Sequence, residues 1–165
     1  MVTIISVTCQ LLRATVNNRK GKAMWIFTTY GFFSVVNKTD PSRYDEDIEA
    51  SEEEMEVRSR YREHLELLVE RFPEQIGDEK ILAYDDPGFH EGTDYEYRIK
   101  INAEQWIHLA AMLAADVTYP NFKSEVQECV RETQLKNTPY LDQCYDVYNA
   151  VSMSNRWNKS GQFIN

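Results

Sequence analysis

Five potential metal ligands lie within ten residues in the middle of the chain. They are Asp85, Asp86, His90, Glu91 and Asp94. Carboxylate oxygens and imidazole nitrogens are donors that divalent ions accept, so this loop could hold such an ion. The same stretch contains Pro87 and Gly88, which suit a turn between two strands. The loop interpretation is favoured over the metal site, because Asp, Pro and Gly are needed in such a turn in any case.

A second candidate site comes from a short pattern that occurs twice, Glu-x-Arg-x-basic-apolar, at residues 56–61 and 96–101. If both copies are strands, alternate side chains share one face of the sheet. The residues expected on the face away from the helices are Arg58, Arg60, Arg98 and Lys100. Such a cationic patch would suit an anionic ligand or an acidic protein surface. The alternative is a solvated face whose arginines pair across strands with Glu56 and Glu96.

Other chemical signatures are missing from the full sequence. It contains no GxSxG, HExxH, P-loop or GxGxxG motif, so we expect no nucleotide or other cofactor. His64 and His108 lie among apolar helical residues, a position typical of a packed or half-exposed histidine. The seven tyrosines between positions 84 and 148 are interpreted as core and rim residues rather than cavity lining. The three cysteines, at positions 9, 129 and 144, lack CxxC spacing and are expected to be reduced thiols.

The elements that would position these residues follow from the hydrophobic periodicity. Period-two alternation and β-branched or aromatic content predict strands at 25–36, with Gly31 as a possible bulge, and at 54–61, 80–84 and 95–101.

A change to helical period predicts a helix from Arg62 that ends before Pro73. Asn102 with Gln105 resembles a capping box and predicts a second helix to about residue 117. Because nearly all its faces are apolar, we expect this helix to be the most buried.

A short helix follows residues 119–121, and Thr138 before Pro139 predicts the start of a last one. Its inward face is expected to carry Leu141, Cys144, Tyr145, Tyr148 and Val151.

This order, ββαββα with two extra carboxy-terminal helices, predicts an α+β fold. We expect a two-layer sandwich in which helices cover one face of a four-stranded antiparallel sheet. A single domain over residues 24–153 and a frayed tail at 154–165 complete the prediction.

The first 23 residues are interpreted as a leader that does not belong to the folded domain. Lys20-Gly21 is encoded by purine-rich codons shortly before Met24, as expected of a bacterial ribosome-binding site that has been translated. We therefore expect the true start at Met24, and a mis-annotated or disordered segment at 1–23.

The net charge of −9 is concentrated in one segment. Nine acidic residues lie between Asp40 and Glu56, opposed only by Arg43. Residues 40–53 are therefore expected to form a solvated acidic loop.

Several of these segments together resemble a known family. They are the Met-Trp-Ile-Phe-Thr start at 24–28 with its continuation to 36, Val57-Arg58-Ser59-Arg60, residues 94–98, residues 119–123 and the last Tyr-containing helix. In combination they are similar to a family of short, uncharacterised bacterial proteins. The resemblance implies a start at Met24 and a single domain, but no activity. The acidic loop and the stretch at 127–137 depart from the pattern.

Two classes of function remain open from the sequence. One is a non-catalytic module that binds a protein partner or a small anionic ligand on its sheet face. The other is a small metal-assisted enzyme that uses the loop at 85–94. A pI of about 4.9 disfavours nucleic acid as a partner, and no run approaches the roughly 18 apolar residues of a membrane span. We expect a cytoplasmic protein.

Overall fold

The computed structural model describes residues 23–39, 52–87, 89 and 94–154. Its strands are β1 (Met24–Thr28), β2 (Gly31–Asn37), β3 (Glu54–Ser59), β4 (Leu82–Ala83) and β5 (Tyr97–Asn102). Its helices are α1 (Arg62–Arg71), the single turn α2 (Pro73–Ile76), α3 (Ala103–Ala115), α4 (Phe122–Glu132) and α5 (Tyr140–Ser154), with a 3₁₀ turn at Gln134–Asn137 between the last two. The α+β class predicted from the sequence is confirmed.

The strands form one antiparallel sheet in the order β1-β2-β3-β5-β4. It has five strands, so the predicted four-stranded ββαββα layout is wrong in detail. The difference arises at residues 25–36, which form two strands and not one. The predicted strand at 80–84 shortens to the two residues of β4, and the strand at 54–61 ends at Ser59.

The turn that separates β1 from β2 is fixed by Thr28 and Gly31. The Thr28 hydroxyl accepts a hydrogen bond from the Tyr30 amide at 3.0 Å and donates one to the Gly31 carbonyl at 3.1 Å. Gly31 has a φ of +140°, which side-chain-bearing residues rarely adopt. Gly31 is therefore the residue on which the chain reverses, and not a bulge within a continuous strand.

The main core lies between one face of the sheet and helices α1, α2 and α3. The sheet contributes alternate residues, which is why the period-two pattern predicted these strands correctly. The buried members of this core are Phe33, Val35, Val57, Ile99, Ile101, Leu65, Leu68, Phe72, Ile76, Trp106 and Leu109.

Helix α3 begins as predicted but is less buried than expected. The Asn102 side chain accepts from the Gln105 amide at 2.8 Å, and the Gln105 side chain accepts from the Asn102 amide at 2.9 Å. This reciprocal pair is the predicted capping box. Ile107 and Met112 are nonetheless more than two-fifths exposed, because a helix that lies on one side of a sheet buries only the face it turns towards it.

A second, smaller core joins the last two helices to the β1–β2 hairpin. Val126, Leu135 and Tyr140 are fully buried in it, against Phe27 and Phe32 of the hairpin, among others. The predicted inward face of α5 is correct for Leu141, Cys144 and Tyr145, which are half-buried, and wrong for Tyr148 and Val151, which are exposed. The sequence pattern missed Tyr140, whose hydroxyl lies 2.6 Å from the Thr28 carbonyl oxygen.

Several predictions concern residues outside the described ranges. They include the leader up to residue 22, the acidic loop up to residue 51 and the tail beyond Ser154. The start at Met24 and the solvated acidic loop therefore stay predictions.

Candidate functional site

The repeated Glu-x-Arg-x-basic segments lie next to each other in the sheet. Arg58 on β3 is directly opposite Arg98 on β5, and Glu56 is opposite Lys100. Their neighbours Val57, Ile99 and Ile101 lie in the main core on the other face, so Arg58, Arg98 and Lys100 lie on the face away from α1 and α3. Arg60 follows at the bend just after β3.

Arg98 is part of a buried ion pair, so the prediction that it belongs to an open cationic patch is wrong. One guanidinium nitrogen, Nη1, lies 3.3 and 3.2 Å from the two carboxylate oxygens of Glu56. Both side chains have no exposed surface, and the guanidinium carbon lies 3.7 Å from the ring centre of Phe89. A buried arginine needs such a partner, because an unpaired charge in the interior is costly. The alternative interpretation of cross-strand pairing applies here, with Glu56 and not Glu96.

The other cations lie closer to solvent. Lys100 Nζ lies 3.5 Å from Glu54 Oε1, at the far end of the same strands. Arg60 Nη2 donates to Asp94 Oδ2 at 2.9 Å, with both side chains more than half exposed. Each of these two contacts is a surface ion pair of small energetic weight.

Arg58 and Arg60 lie on the same aromatic ring, that of Tyr95. Their guanidinium carbons are 4.8 and 5.8 Å from the ring centre, within the range of a cation–π contact. Arg58 Nη2 also donates to Ser34 Oγ at 2.8 Å. Its Nε is buried and has no hydrogen-bond partner among the described residues.

Asp94 pairs with Arg60 and is affected by Arg58 only through its charge. The hydrogen bond from Arg60, together with the charges of Arg60 and Arg58, holds the pKa of Asp94 below its usual value. Within the described part of the chain, no ion pair joins Arg58 to a carboxylate of its own. Two guanidinium groups and one carboxylate therefore meet at Tyr95, with a net positive charge.

The predicted metal-binding loop is described only in part. Asp86 Oδ2 accepts from the Ala83 amide at 2.7 Å, which closes the turn after β4, and Asp94 pairs with Arg60. His90 and Glu91 lie outside the described residues. Among the side chains that the structure describes, no group of three or more potential ligands is arranged to hold a metal ion. A metal site that includes Asp85 stays a prediction.

A polar cluster that the sequence patterns did not indicate lies at the end of β3. Ser59 Oγ is 3.0 Å from His64 Nδ1, and the Phe32 amide donates to the same nitrogen at 3.3 Å. Because Nδ1 accepts from a backbone N–H, the neutral imidazole carries its proton on Nε2. Burial lowers the pKa of His64 to about 4, so the ring is neutral near pH 7. Nε2 is buried without a hydrogen-bond partner among the described residues.

The Ser59–His64 contact is short enough for a hydrogen bond but lacks two other features of a catalytic pair. A catalytic base has a pKa near the working pH and is oriented by a third group on its other nitrogen. His64 has a low pKa, and its Nε2 lacks such a partner within the described residues. Ser59 Oγ lies 3.3 Å from the Tyr61 amide and 3.2 Å from the Phe32 carbonyl oxygen. The contact therefore fixes the start of α1 against β2. His108, in contrast, is exposed on α3.

A third polar cluster connects the hairpin to the ends of α1 and α3. The Tyr30 hydroxyl is hydrogen-bonded to Asp116 and accepts from Arg71 Nε at 3.1 Å. Arg71 Nη2 donates to Asp116 Oδ1 at 2.5 Å. The Arg71 hydrogen bond lowers the pKa of Asp116. This closed network holds three elements together and leaves little to bind a ligand.

Comparisons with known proteins do not identify the chain: it matches no family model, no curated protein and no solved structure. The resemblance noted in the sequence therefore stays a prediction. No helix in the described ranges combines the length and apolar character needed to cross a bilayer.

Proposed function

We propose that the protein is a non-catalytic α+β module that binds a protein partner or a small anionic ligand on its sheet face. The observation that carries the proposal is the arrangement at Tyr95, where Arg58 and Arg60 lie on one ring and the described ion pairs supply one carboxylate, Asp94, which pairs with Arg60. A second carboxylate, supplied by the ligand, would balance this charge. In a chain of net charge −9, such a local excess of positive charge attracts anions selectively.

The chemistry of Arg58 favours a carboxylate as the bound group. A guanidinium group presents parallel N–H donors that match the two oxygens of a carboxylate. Nη2 of Arg58 is already bonded to Ser34 and its Nε is buried, so the more exposed guanidinium of Arg60 is the part of the pair that a ligand reaches first. An acidic side chain of a partner protein and a small dicarboxylate share this chemistry.

The two remaining predicted residues support the site without belonging to its centre. Arg98 neutralises Glu56, which would otherwise place a negative charge beside the proposed binding position. Lys100 is paired with Glu54 at the far end of the strands. We therefore centre the site on Arg58 and Arg60.

The test is a titration of the ¹⁵N-labelled protein with sodium succinate and, separately, with a Glu-rich peptide. We expect amide shifts centred on residues 58–60 and 95 that weaken as salt is added. Arg58→Gln and Arg60→Gln should each reduce the affinity about tenfold, as expected for the loss of a charge-assisted hydrogen bond. Arg62→Gln is the matched control, since Arg62 is an exposed arginine on α1 that pairs with Glu66. Equal effects of the three substitutions, or no shifts at all, would overturn the proposal.

The alternative function, a metal-assisted enzyme using the loop at 85–94, is not favoured by the described contacts. Asp86 and Asp94 are already engaged with the Ala83 amide and with Arg60. A rise in melting temperature with Mg²⁺, Mn²⁺ or Zn²⁺, abolished by Asp85→Asn, would reverse this preference.

A further inference from the structure

The outer edge of β1 lacks the features that usually protect the edge of a sheet. Within the described residues, β1 pairs with β2 alone, whereas the opposite end of the sheet is the two-residue strand β4. Edge strands are commonly protected by lysine, proline or a bulge, because their unpaired N–H and C=O groups attract further strands. The sequence of β1 is Met-Trp-Ile-Phe-Thr, in continuous register with β2. This edge is therefore available to another strand.

The hydrogen bonds of Phe32 show which backbone groups of β1 point outwards. Phe32 lies opposite Phe27, but its amide donates to His64 Nδ1 at 3.3 Å and its carbonyl oxygen accepts from Ser59 Oγ at 3.2 Å. Both groups of Phe32 thus point away from β1, and Phe27 and Phe32 form a non-hydrogen-bonded pair. Such pairs alternate along an antiparallel ladder. The N–H and C=O groups of both Trp25 and Phe27 therefore point to the open edge.

An apolar groove of about 250 Å³ lies between β1 and the end of α3. Its walls include Ile26 of β1, Leu113 of α3 and Val117 just after that helix. A space of about 150 Å³ admits benzene, so the groove has room for an apolar side chain. The charged group among its described lining residues is Asp116, which is paired with Arg71. The groove therefore suits an uncharged occupant.

Exposed apolar side chains surround this groove and edge. On β1, Met24 is 45% exposed and Trp25 is 68% exposed. Ile107 of α3 and Val117 are each about half exposed. Neither β1 nor residues 105–115 of α3 contain Asp, Glu, Lys or Arg, although these types make up 27% of the chain. An uncharged, apolar flank on an otherwise charged surface is typical of a protein interface.

We propose that a second copy of this chain binds here, with β1 antiparallel to β1 about a two-fold axis at Ile26. In this register, Trp25 of each copy lies opposite Phe27 of the other. Each such pair exchanges two backbone hydrogen bonds, because both residues have outward N–H and C=O groups. Met24 lies on the same side as Ile26 and comes opposite Thr28 of the other copy, which lines the groove. Each copy thus fills the groove of its partner.

A second copy is favoured over an unrelated strand because each copy carries both halves of the contact. The open edge and the groove come with Met24 and Trp25, the exposed side chains that would occupy and cover them, as a two-fold interface requires. Because β1 is uncharged, two chains of net charge −9 meet there without like charges in the new ladder. The proposal does not rest on the function proposed above, since Arg58 is on β3, two strands away from this edge.

The experiment is sedimentation equilibrium of the full chain over a series of concentrations. We expect a monomer–dimer equilibrium with a Kd of about 1–100 µM, as suits a small interface. Trp25→Lys places a charge in the edge strand and should weaken dimerisation at least about tenfold. Val151→Lys, at a similarly exposed position on α5, should leave the Kd unchanged. A chain that stays monomeric up to about 1 mM, or a dimer that the two substitutions affect equally, would overturn the proposal.

Symmetric cross-linking tests the register. The two Ile26 residues would form a non-hydrogen-bonded pair with Cα atoms about 4.5 Å apart, within the range of about 4.4–6.8 Å that a disulfide spans. The two Trp25 residues would be offset along the strands, and their Cα atoms would lie beyond about 7 Å.

The matched variants are Ile26→Cys and Trp25→Cys, each in a chain whose three natural cysteines are replaced by serine. Under mild oxidation, Ile26→Cys should form a covalent dimer at least about tenfold faster than Trp25→Cys. Random collisions would give the opposite order, because Trp25 is the more exposed residue. Faster cross-linking of Trp25→Cys would therefore overturn the proposed pairing. Circular dichroism checks that both variants are folded.

Discussion

Gly31 is in close contact with the ring of His64, and a Cβ atom added to Gly31 would lie 2.4 Å from Cγ of His64. The imidazole thus fills the space that a side chain on Gly31 would need. The contact also brings Nδ1 of His64 to the amide of Phe32, the residue after Gly31. The hairpin turn and the start of α1 therefore depend on one another.

We expect Gly31→Ala to lower the free energy of unfolding by at least about 2 kcal/mol, because it adds both a steric overlap and an unfavourable φ. Urea denaturation measures this loss. Gly77→Ala is the control: Gly77 also has a positive φ, but its Cβ position is 3.8 Å from the nearest atom. A smaller loss of about 1 kcal/mol is expected there. Equal losses in the two variants would show that His64 does not restrict Gly31.

Removing one partner of the buried Arg98–Glu56 pair should be strongly destabilising. Arg98→Met leaves the Glu56 carboxylate buried without its partner, and we expect a loss of about 3–5 kcal/mol in the free energy of unfolding. The double variant Glu56→Met, Arg98→Met should recover much of it, because no buried charge is left. Arg60→Met, at the exposed pair, should change stability by only about 0.5 kcal/mol. If the double variant is no more stable than Arg98→Met, the pair is not the source of the loss.

The free energy of unfolding should decrease as the pH is lowered, over a range set by the pKa of His64 in the folded and unfolded chain. Burial lowers its pKa from 6.5 to about 4, so the unfolded chain takes up a proton before the folded one does. The free energy of unfolding therefore has its full value above about pH 6.5. It decreases by a total of about 3 kcal/mol as the pH falls to about 4, because protonation of His64 favours the unfolded chain. Denaturation curves between these pH values measure it.

His64→Asn should flatten this dependence, whereas substitution of the exposed His108 by Gln should retain it. Asp94 and Asp116 have a pKa below the usual 3.8, so the stabilisation they contribute is lost only at lower pH. An unchanged slope in His64→Asn would contradict this assignment.

The hydroxyl of Tyr140 should contribute to holding α5 on the hairpin. It lies 2.6 Å from the Thr28 carbonyl oxygen and 3.0 Å from that of Gly31, and the side chain is fully buried. Tyr140→Phe should lower the free energy of unfolding by about 1–2 kcal/mol, since a buried acceptor loses its donor. Tyr148→Phe, on the exposed side of the same helix, should have no measurable effect. A similar loss in both variants would argue against the hydrogen bond.

Much of the secondary structure could be predicted from the sequence, because it depends on contacts between near neighbours. The capping box of Asn102 and Gln105 involves residues three apart, and Pro73 ends α1 by its own ring geometry. The alternation around Val57 and Ile99 placed both strands correctly, because period two is a property of each strand alone. These features also placed Arg58, Arg98 and Lys100 on one face.

The tertiary structure decided what those residues contact. An alternation of period two gives the face of the sheet on which an arginine lies, but not whether that arginine is solvated or buried. Arg98 is buried against Glu56 and Phe89, which the pattern did not predict. Gly31 begins β2 at a position where a side chain would overlap the ring of His64, thirty-three residues later. The groove beside β1 likewise needs the hairpin and α3 to meet. Such contacts depend on packing between distant segments, which a local pattern does not encode.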